Sequence, residues 1–158
     1  MRHALEPNDT NGFYPEHINL LLYSFKTLTG RDLVSSEMEP LAAAKAIYFA
    51  PFAVVSHDTS ADPIFNYANQ TALLLFEMSW EEFTTLPSRC SADTPNQEER
   101  TRQLDEVTRK GFIENYSGIR ISKKGNRFVI ENAVVWNLID PSGNYRGQAA
   151  TFNEWRSI

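Results

Sequence analysis

The chain has 158 residues, a formal net charge of −5 at pH 7, and 42% hydrophobic residues. This length fits one domain with one hydrophobic core, and this hydrophobic content excludes a disordered chain. The acidic balance argues against direct nucleic-acid binding, because that affinity depends on lysine and arginine neutralising phosphates.

The first 50 residues divide into a predicted tail and two predicted helices. Residues 1–15 are polar and aperiodic, which predicts a flexible N-terminal tail. Residues 16–50 follow a helical pattern, and the second helix is predicted over residues 36–48 with Ser36 as its N-cap. The first helix is expected to end near Gly30 and to carry an apolar stripe of Ile18, Leu21, Leu22, Phe25 and Leu28. That stripe either packs on its own domain or also forms a dimer interface.

Residues 51–158 form the predicted main domain. Two β-favouring runs on either side of the loop SHDTSADP predict a hairpin. Three helices follow: one capped by Asn69, one opened by a capping box of Ser79 and Glu82, and one that runs from about Pro95 to Gly111. Three strand-like runs joined by KKGN and DPSGN then predict an antiparallel meander. This order indicates an α+β domain with one antiparallel sheet covered on one face by helices.

Polar side chains in the last two strand runs are candidate ligand contacts. A period of two places Asn132 and Trp136 on one otherwise apolar face of the run at residues 127–139. A buried amide needs a partner, since leaving it unsatisfied costs about 1–3 kcal/mol. That partner is protein, water, or a ligand between sheet and helices. Gln148, on the next strand, presents the same alternatives.

His57 and Cys90 are the remaining candidate ligand contacts. The only potential metal ligands near His57 in sequence are Asp58 and Asp62, whereas a transition-metal site normally has more than one His or Cys. No activated nucleophile accompanies His57. We therefore expect no metal and no catalytic residues. The single cysteine, Cys90, excludes an internal disulfide and fits a reducing compartment, so we expect a cytoplasmic protein. No apolar run is long enough for a signal peptide or a membrane span, so no membrane partner is expected.

Three segments resemble a known family. These are YFAPFAVVSHDTSADPIFNYANQTALLLFEMSWEEFTTLPSR, YSGIRISKKGNRFVIENAVVWNL and GQAATFNEW. Together they resemble the MEKHLA domain, a PAS-like domain that occurs as a stand-alone bacterial protein and at the C-terminus of plant homeodomain-leucine zipper factors. The resemblance covers roughly residues 16–156. It implies a five-stranded antiparallel sheet in the order 2-1-5-4-3, flanked by short helices.

The resemblance also implies a sensory or dimerisation module that holds haem, flavin, a small metabolite or nothing between sheet and helices. Flavin-binding LOV domains carry the motif Asn-Cys-Arg-Phe-Leu-Gln, whereas this chain reads SRCSAD around Cys90, which argues against flavin. All three histidines precede the middle helices, which argues against haem. The cofactor therefore stays unknown: none, or a small organic ligand.

Three functional hypotheses follow from the sequence. The first is a non-enzymatic sensory module that binds a small molecule and forms a homodimer. The second is a pure protein-interaction domain whose core is filled by its own bulky side chains. The third is an enzyme that uses His57 with Asp58 or Asp62, and the sequence favours it least.

Overall fold

The structure, a computed structural model, describes residues 5–158 and consists of one antiparallel sheet with helices on both faces. A single-turn 3-10 helix, Ser88–Ser91, lies between the fourth and fifth α-helices. In chain order the other elements are α1 (Pro15–Thr29), α2 (Pro40–Tyr48), β1 (Ala53–His57), β2 (Phe65–Ala68), α3 (Gln70–Phe76), α4 (Trp80–Phe83), α5 (Thr94–Lys110), β3 (Phe112–Ile121), β4 (Arg127–Ile139), β5 (Tyr145–Phe152) and β6 (Glu154–Ser157).

The five main strands are antiparallel and follow the order β2-β1-β5-β4-β3, which confirms the predicted PAS-like topology. A sixth strand, β6, was not predicted. It pairs with the first part of β4, on residues 128–131, beyond the stretch of β4 that pairs with β5. The long strand β4 is therefore paired on both sides along most of its length, and β6 is part of the sheet.

Helix α1 packs on the face of the sheet opposite α5, so helices cover both faces instead of the predicted single face. Its stripe is buried at Ile18, Leu21 and Phe25. The Ser24 hydroxyl donates to the Ile139 carbonyl at 3.0 Å and accepts from the Ile139 amide at 2.8 Å, which ties the helix to β4. The predicted stripe thus packs on its own domain, and the helix ends at Gly30 as expected.

The segment before α1 and the start of α2 both differ from the sequence prediction. Part of the predicted tail packs on the domain, because Phe13 is buried and the Tyr48 hydroxyl donates to a Glu6 carboxylate oxygen at 2.7 Å. Residues 1–4 lie outside the described part of the chain. Helix α2 begins at Pro40, not at residue 36, because a proline favours the first turn and forces the residue before it to be extended. The domain boundaries at residues 15 and 50 stay predictions.

The predicted helix starts in the middle of the chain are confirmed. The Asn69 side chain accepts from the Ala72 amide at 3.1 Å at the start of α3. Ser79 and Glu82 form the predicted capping box at the start of α4. Helix α5 ends at Gly111, also as predicted. Within residues 5–158, no helix combines the length and the apolar character that crossing a bilayer requires.

Strands β3 and β4 each contain one bulged asparagine in the left-handed region. Asn115 has a φ of 54° and Asn132 a φ of 53°. The pairing register shifts by one residue between Ile113 and Tyr116, and shifts back between Tyr116 and Gly118. The extra residue on β3 is therefore compensated by the extra residue on β4.

The bulge at Asn132 breaks the strict alternation predicted for β4. Ile130 before the bulge and Val135 after it line the same cavity, although they are an odd number of positions apart. Trp136 faces α1 instead, with its ring 4.8 Å from that of Phe25. Asn132, predicted to face the core, is exposed, because the bulged residue of a strand leaves the alternation. Its side-chain amide donates to Glu154 at 2.7 Å.

Candidate functional site

A cavity of about 50 Å³ lies between the sheet and α5. That volume accommodates a few water molecules or a small solute. Aromatic and aliphatic side chains form most of its wall. The polar side chains of the lining are those of Ser56, His57, Ser91, Arg100, Tyr116, Arg120 and Gln148. No aspartate or glutamate occurs among these lining residues, so the polar part of the wall is cationic.

Arg120 on β3 is buried and hydrogen-bonded. It is 8% exposed. Its guanidinium donates to the Tyr116 hydroxyl at 2.7 Å and to the Ile119 carbonyl at 2.9 Å, and it lies 5.6 Å from the centre of the Tyr116 ring. These contacts hold the guanidinium in place at the cavity but involve no negatively charged partner.

Arg100 on α5 is buried without a partner of its own. It is 7% exposed, and within the described residues its guanidinium makes no hydrogen bond or ion pair. Burial lowers the pKa of Arg100 to about 10, and the positive charge of Arg120 acts in the same direction. The side chain is still cationic at neutral pH. Buried charges in proteins are normally paired, so this guanidinium lacks the counter-charge that such a position requires.

His57 ends β1 and lines the cavity with one free ring nitrogen. Its Nδ1 lies 3.0 Å from the Asp58 carbonyl oxygen, which assigns the ring proton to Nδ1 in the neutral form. Its Nε2 is buried and, among the described residues, has no hydrogen-bond partner, although the nearby Gln148 side chain acts to raise the pKa of His57. Burial lowers the pKa of His57, and the Arg100 charge adds to this effect. The ring therefore offers Nε2 as an acceptor at neutral pH.

Gln148 and Asn137 connect the sheet to α5. The Gln148 side-chain nitrogen lies within donating distance of three oxygens: the Leu104 carbonyl at 3.2 Å, the Thr108 hydroxyl at 3.0 Å and the Asn137 amide oxygen at 3.1 Å. Asn137 in turn donates to the Val107 carbonyl at 3.1 Å. These bonds fix the C-terminal half of α5, so the helix that carries Arg100 is anchored at one end by buried amides.

The structure brings together two of the five predicted ligand contacts. His57 and Gln148 line the cavity, and a ligand role for them stays a prediction. Asn132 is exposed at the bulge, and Trp136 is buried on the opposite face of the sheet. Cys90 is partly buried in the 3-10 helix and does not line the cavity, although its neighbour Ser91 does.

Sequence reasoning missed both arginines. Arg100 lies in a run of charged residues whose helix reads as a solvated surface, and nothing in the sequence distinguishes it from the exposed Arg102. The burial of Arg120 was weakly indicated, because this residue interrupts a β-favouring run at a position between two isoleucines. Only the tertiary packing of α5 on β3 and β4 brings these two charges to one cavity.

A flavin does not fit the residues present in this cavity. Sites for ligands of that size typically measure about 300 Å³ or more, whereas this cavity, lined by Phe65, Phe76 and Leu104 among others, measures about 50 Å³. A haem is larger still. Among residues 5–158, no three His, Cys, Asp or Glu side chains are grouped so that they could hold a metal ion.

Comparisons with known proteins place this fold in a family. The family model described as the MEKHLA domain matches residues 15–157. The homeobox-leucine zipper protein ATHB-14 of Arabidopsis thaliana is 23% identical over 151 residues, which is 91% of this chain and 18% of that protein. The chain thus spans about a fifth of the length of the curated relatives it matches.

Two solved structures show the same fold. A PAS domain from Colwellia psychrerythraea has a TM-score of 0.62 at 19% identity, covering 74% of this chain and 94% of its own. The light-state dimer of the fungal blue-light photoreceptor Vivid has a TM-score of 0.59 at 15% identity, covering 85% of this chain and 93% of its own. At these identities the likeness concerns the fold alone.

Proposed function

The chain belongs to the MEKHLA domain family, whose fold is PAS-like, and on this premise we propose that it is a non-enzymatic sensory or regulatory module. In this proposal a small molecule binds between the sheet and α5, and the domain acts as a homodimer. No direct nucleic-acid or membrane partner is proposed, and a cytoplasmic location stays a prediction.

One observation carries the ligand proposal: the wall of the cavity contains two buried residues whose polar groups lack hydrogen-bond partners. The Arg100 guanidinium and His57 Nε2 both lie at the cavity wall and, within the described chain, neither has a hydrogen-bond partner. Native proteins satisfy almost all buried polar groups, so such a pair indicates that a bound molecule supplies the missing partners.

Native mass spectrometry of the full chain tests this function. We expect the freshly purified protein to carry a bound mass, or to gain thermal stability with at least one member of a small-metabolite panel. An absorbance spectrum of the same sample reports any coloured cofactor. A protein that carries no added mass and shows no thermal shift with any metabolite would rule out the ligand-binding proposal.

Support for dimerisation comes from one of the similar solved structures. The Vivid structure is described as a light-state dimer, and its fold covers most of this chain. The apolar stripe of α1 is buried against β4, so a dimer would use another surface, such as the exposed side of α1 around Tyr23. Sedimentation velocity at increasing protein concentration tests the homodimer proposal. A monomer at every soluble concentration would contradict it.

The small volume of the cavity favours a second function, that of a pure protein-interaction domain. Large rings occupy much of the space on this face of the sheet: the Phe65 and Phe83 centroids are 4.1 Å apart, and those of Phe76 and Phe128 are 5.2 Å apart. Under this alternative, the protein would remain free of bound small molecules while still capturing a specific protein partner.

A further inference from the structure

We infer that the cavity binds a small oxyanion, the carboxylate or phosphate group of a small molecule, and that Arg100 is its principal contact. The inference rests on the ligand-binding function proposed above and specifies the chemical class of the ligand. Arg120 and His57 complete the site from the sheet side of the cavity.

The first step of the argument is the missing counter-charge of Arg100. A guanidinium presents five N–H donors in a planar fork that matches a carboxylate or a phosphate. Within residues 5–158 none of these donors is used, although the side chain is buried at the cavity wall. Since uncompensated buried charge is unfavourable, an anion that enters the cavity would gain strong, charge-assisted hydrogen bonds.

The second step is the like charge across the cavity. Arg100 and Arg120 are both buried and both line the cavity, and the positive charge of Arg120 acts to lower the pKa of Arg100. Arg120 uses only some of its five N–H donors in the hydrogen bonds to Tyr116 and Ile119. An oxyanion bound in this cavity would compensate both positive charges, whereas a neutral ligand would compensate neither.

The third step concerns size and protonation. The volume of about 50 Å³ and the walls of Phe65, Phe76 and Leu104 admit a small acid with a short apolar part and exclude a nucleotide. His57 Nε2, an acceptor at neutral pH, would pair with a hydroxyl or a protonated group on the same molecule. The site therefore fits a small, singly or doubly charged acid.

Titration calorimetry on the full chain tests the inference. The probes are acetate, pyruvate, succinate and inorganic phosphate, with acetamide and succinamide as neutral analogues, in a buffer without other oxyanions. The variants are Arg100→Met, Arg100→Lys and, as a control on the exposed side of the same helix, Arg109→Met. Comparing phosphate with the carboxylates identifies the anionic group.

We expect at least one anion to bind the wild type and Arg109→Met equally, and to bind Arg100→Met at least about tenfold more weakly. Arg100→Lys should recover part of the affinity, because it keeps the charge and loses the fork. Circular dichroism should show Arg100→Met folded, since replacing an unpaired buried charge by an apolar side chain does not weaken a core.

Two results would overturn the inference in different ways. If a neutral analogue or an uncharged metabolite binds and the anions do not, the oxyanion assignment fails while the ligand-binding function stands. If nothing binds and native mass spectrometry finds no added mass, the ligand-binding function itself fails. Equal anion affinity in wild type and Arg100→Met would also overturn the role of Arg100.

Discussion

Asn132 on β4 restores the register that Asn115 shifts on β3. Both asparagines adopt positive φ, and the pairing between the strands is offset by one residue only in the stretch between them. The effect is that Ile130 and Val135 face the same cavity from either side of the bulge. Without the bulge, one of the two would be replaced at the cavity by a residue that now faces α1 or solvent.

The backbone conformation at Asn132 gives the first prediction. Replacing Asn132 by valine should destabilise the protein by about 1–2 kcal/mol relative to Asn132→Gly, because a β-branched residue is strained at positive φ and glycine is not. Both variants lose the hydrogen bond to Glu154, so the difference between their unfolding free energies reports the backbone strain at this position. Urea unfolding followed by circular dichroism measures it, and equal midpoints would contradict the strained bulge.

The close approach of β1 and β5 gives the second prediction. A Cβ added at Gly147, where φ is 122°, would lie 2.1 Å from the His57 carbonyl oxygen. Gly147→Ala should therefore lower the unfolding free energy by about 3 kcal/mol or more, as the sum of backbone strain and steric overlap. Gly143→Ala, at φ 85° with open space around it, is the control and should cost about 1–2 kcal/mol. Similar losses in the two variants would refute the clash.

Asn69 gives the third prediction, because it is a cap that is fully buried. Its oxygen accepts from the Val54 and Ala72 amides, and its nitrogen donates to the Ile47 and Phe52 carbonyls. Asn69→Ala should cost about 3–4 kcal/mol in thermal or urea unfolding, since a cap is lost and buried groups are left unpaired.

Two further variants check the interpretation of Asn69. Ser79→Ala removes an exposed cap and should cost only about 1 kcal/mol. Asn69→Asp keeps the accepted bonds but places a carboxylate opposite two carbonyl oxygens, so it should be no more stable than Asn69→Ala at neutral pH. Near-native stability of Asn69→Asp would show that the donated bonds contribute little.

The fourth prediction concerns pH. Burial lowers the pKa of His57 in the folded state, so the unfolded chain binds a proton more readily at this residue. The unfolded His has a pKa of about 6.5, so His57 contributes full stability above that pH and loses it as the pH falls toward the lowered native pKa. The loss should approach about 1.4 kcal/mol per pH unit within this window. Asp58 and Arg100 are the charged groups that act on the ring.

His57→Gln is the matched variant for the pH prediction. Urea unfolding at pH 7.5, 6.5 and 5.5 should show the wild type losing more stability than the variant as the pH decreases. Asp58, whose pKa is lowered from 3.8, does not change its charge in this range. Parallel pH profiles for the two proteins would indicate that His57 is protonated without cost in the folded state.

Most helix ends could be predicted because their signals are local, whereas the order of the sheet was implied by the resemblance to the MEKHLA domain. Gly30 and Gly111 end helices, Asn69 and the Ser79–Glu82 pair begin them, and each acts through the backbone of its own turn. Strand β6 could not be predicted in this way. Its pairing with β4 is a non-local contact, and four residues carry no periodic pattern of their own.

The site was less predictable than the fold, because strict alternation gives the wrong face after a bulge. A period of two along β4 predicts Asn132 and Trp136 on the ligand face, but the bulge at Asn132, with its positive φ, turns both away from that face. Asn137, an odd number of positions from Asn132, bonds to α5 on the cavity side of the sheet. The charge of Arg100 is visible in the sequence, but its burial depends on how α5 docks.

The pairing of β6 with β4 places an intrinsic fluorophore, Trp155, beside the cavity. Trp155 is the register partner of Ile130, which lines the cavity, and its ring lies 5.9 Å from that of Phe152, another lining residue. Trp80 and Trp136, the other two tryptophans, are 2% and 0% exposed, whereas Trp155 is partly exposed. Quenching of its emission by iodide therefore reports on the strand beside the cavity, without any label attached to the chain.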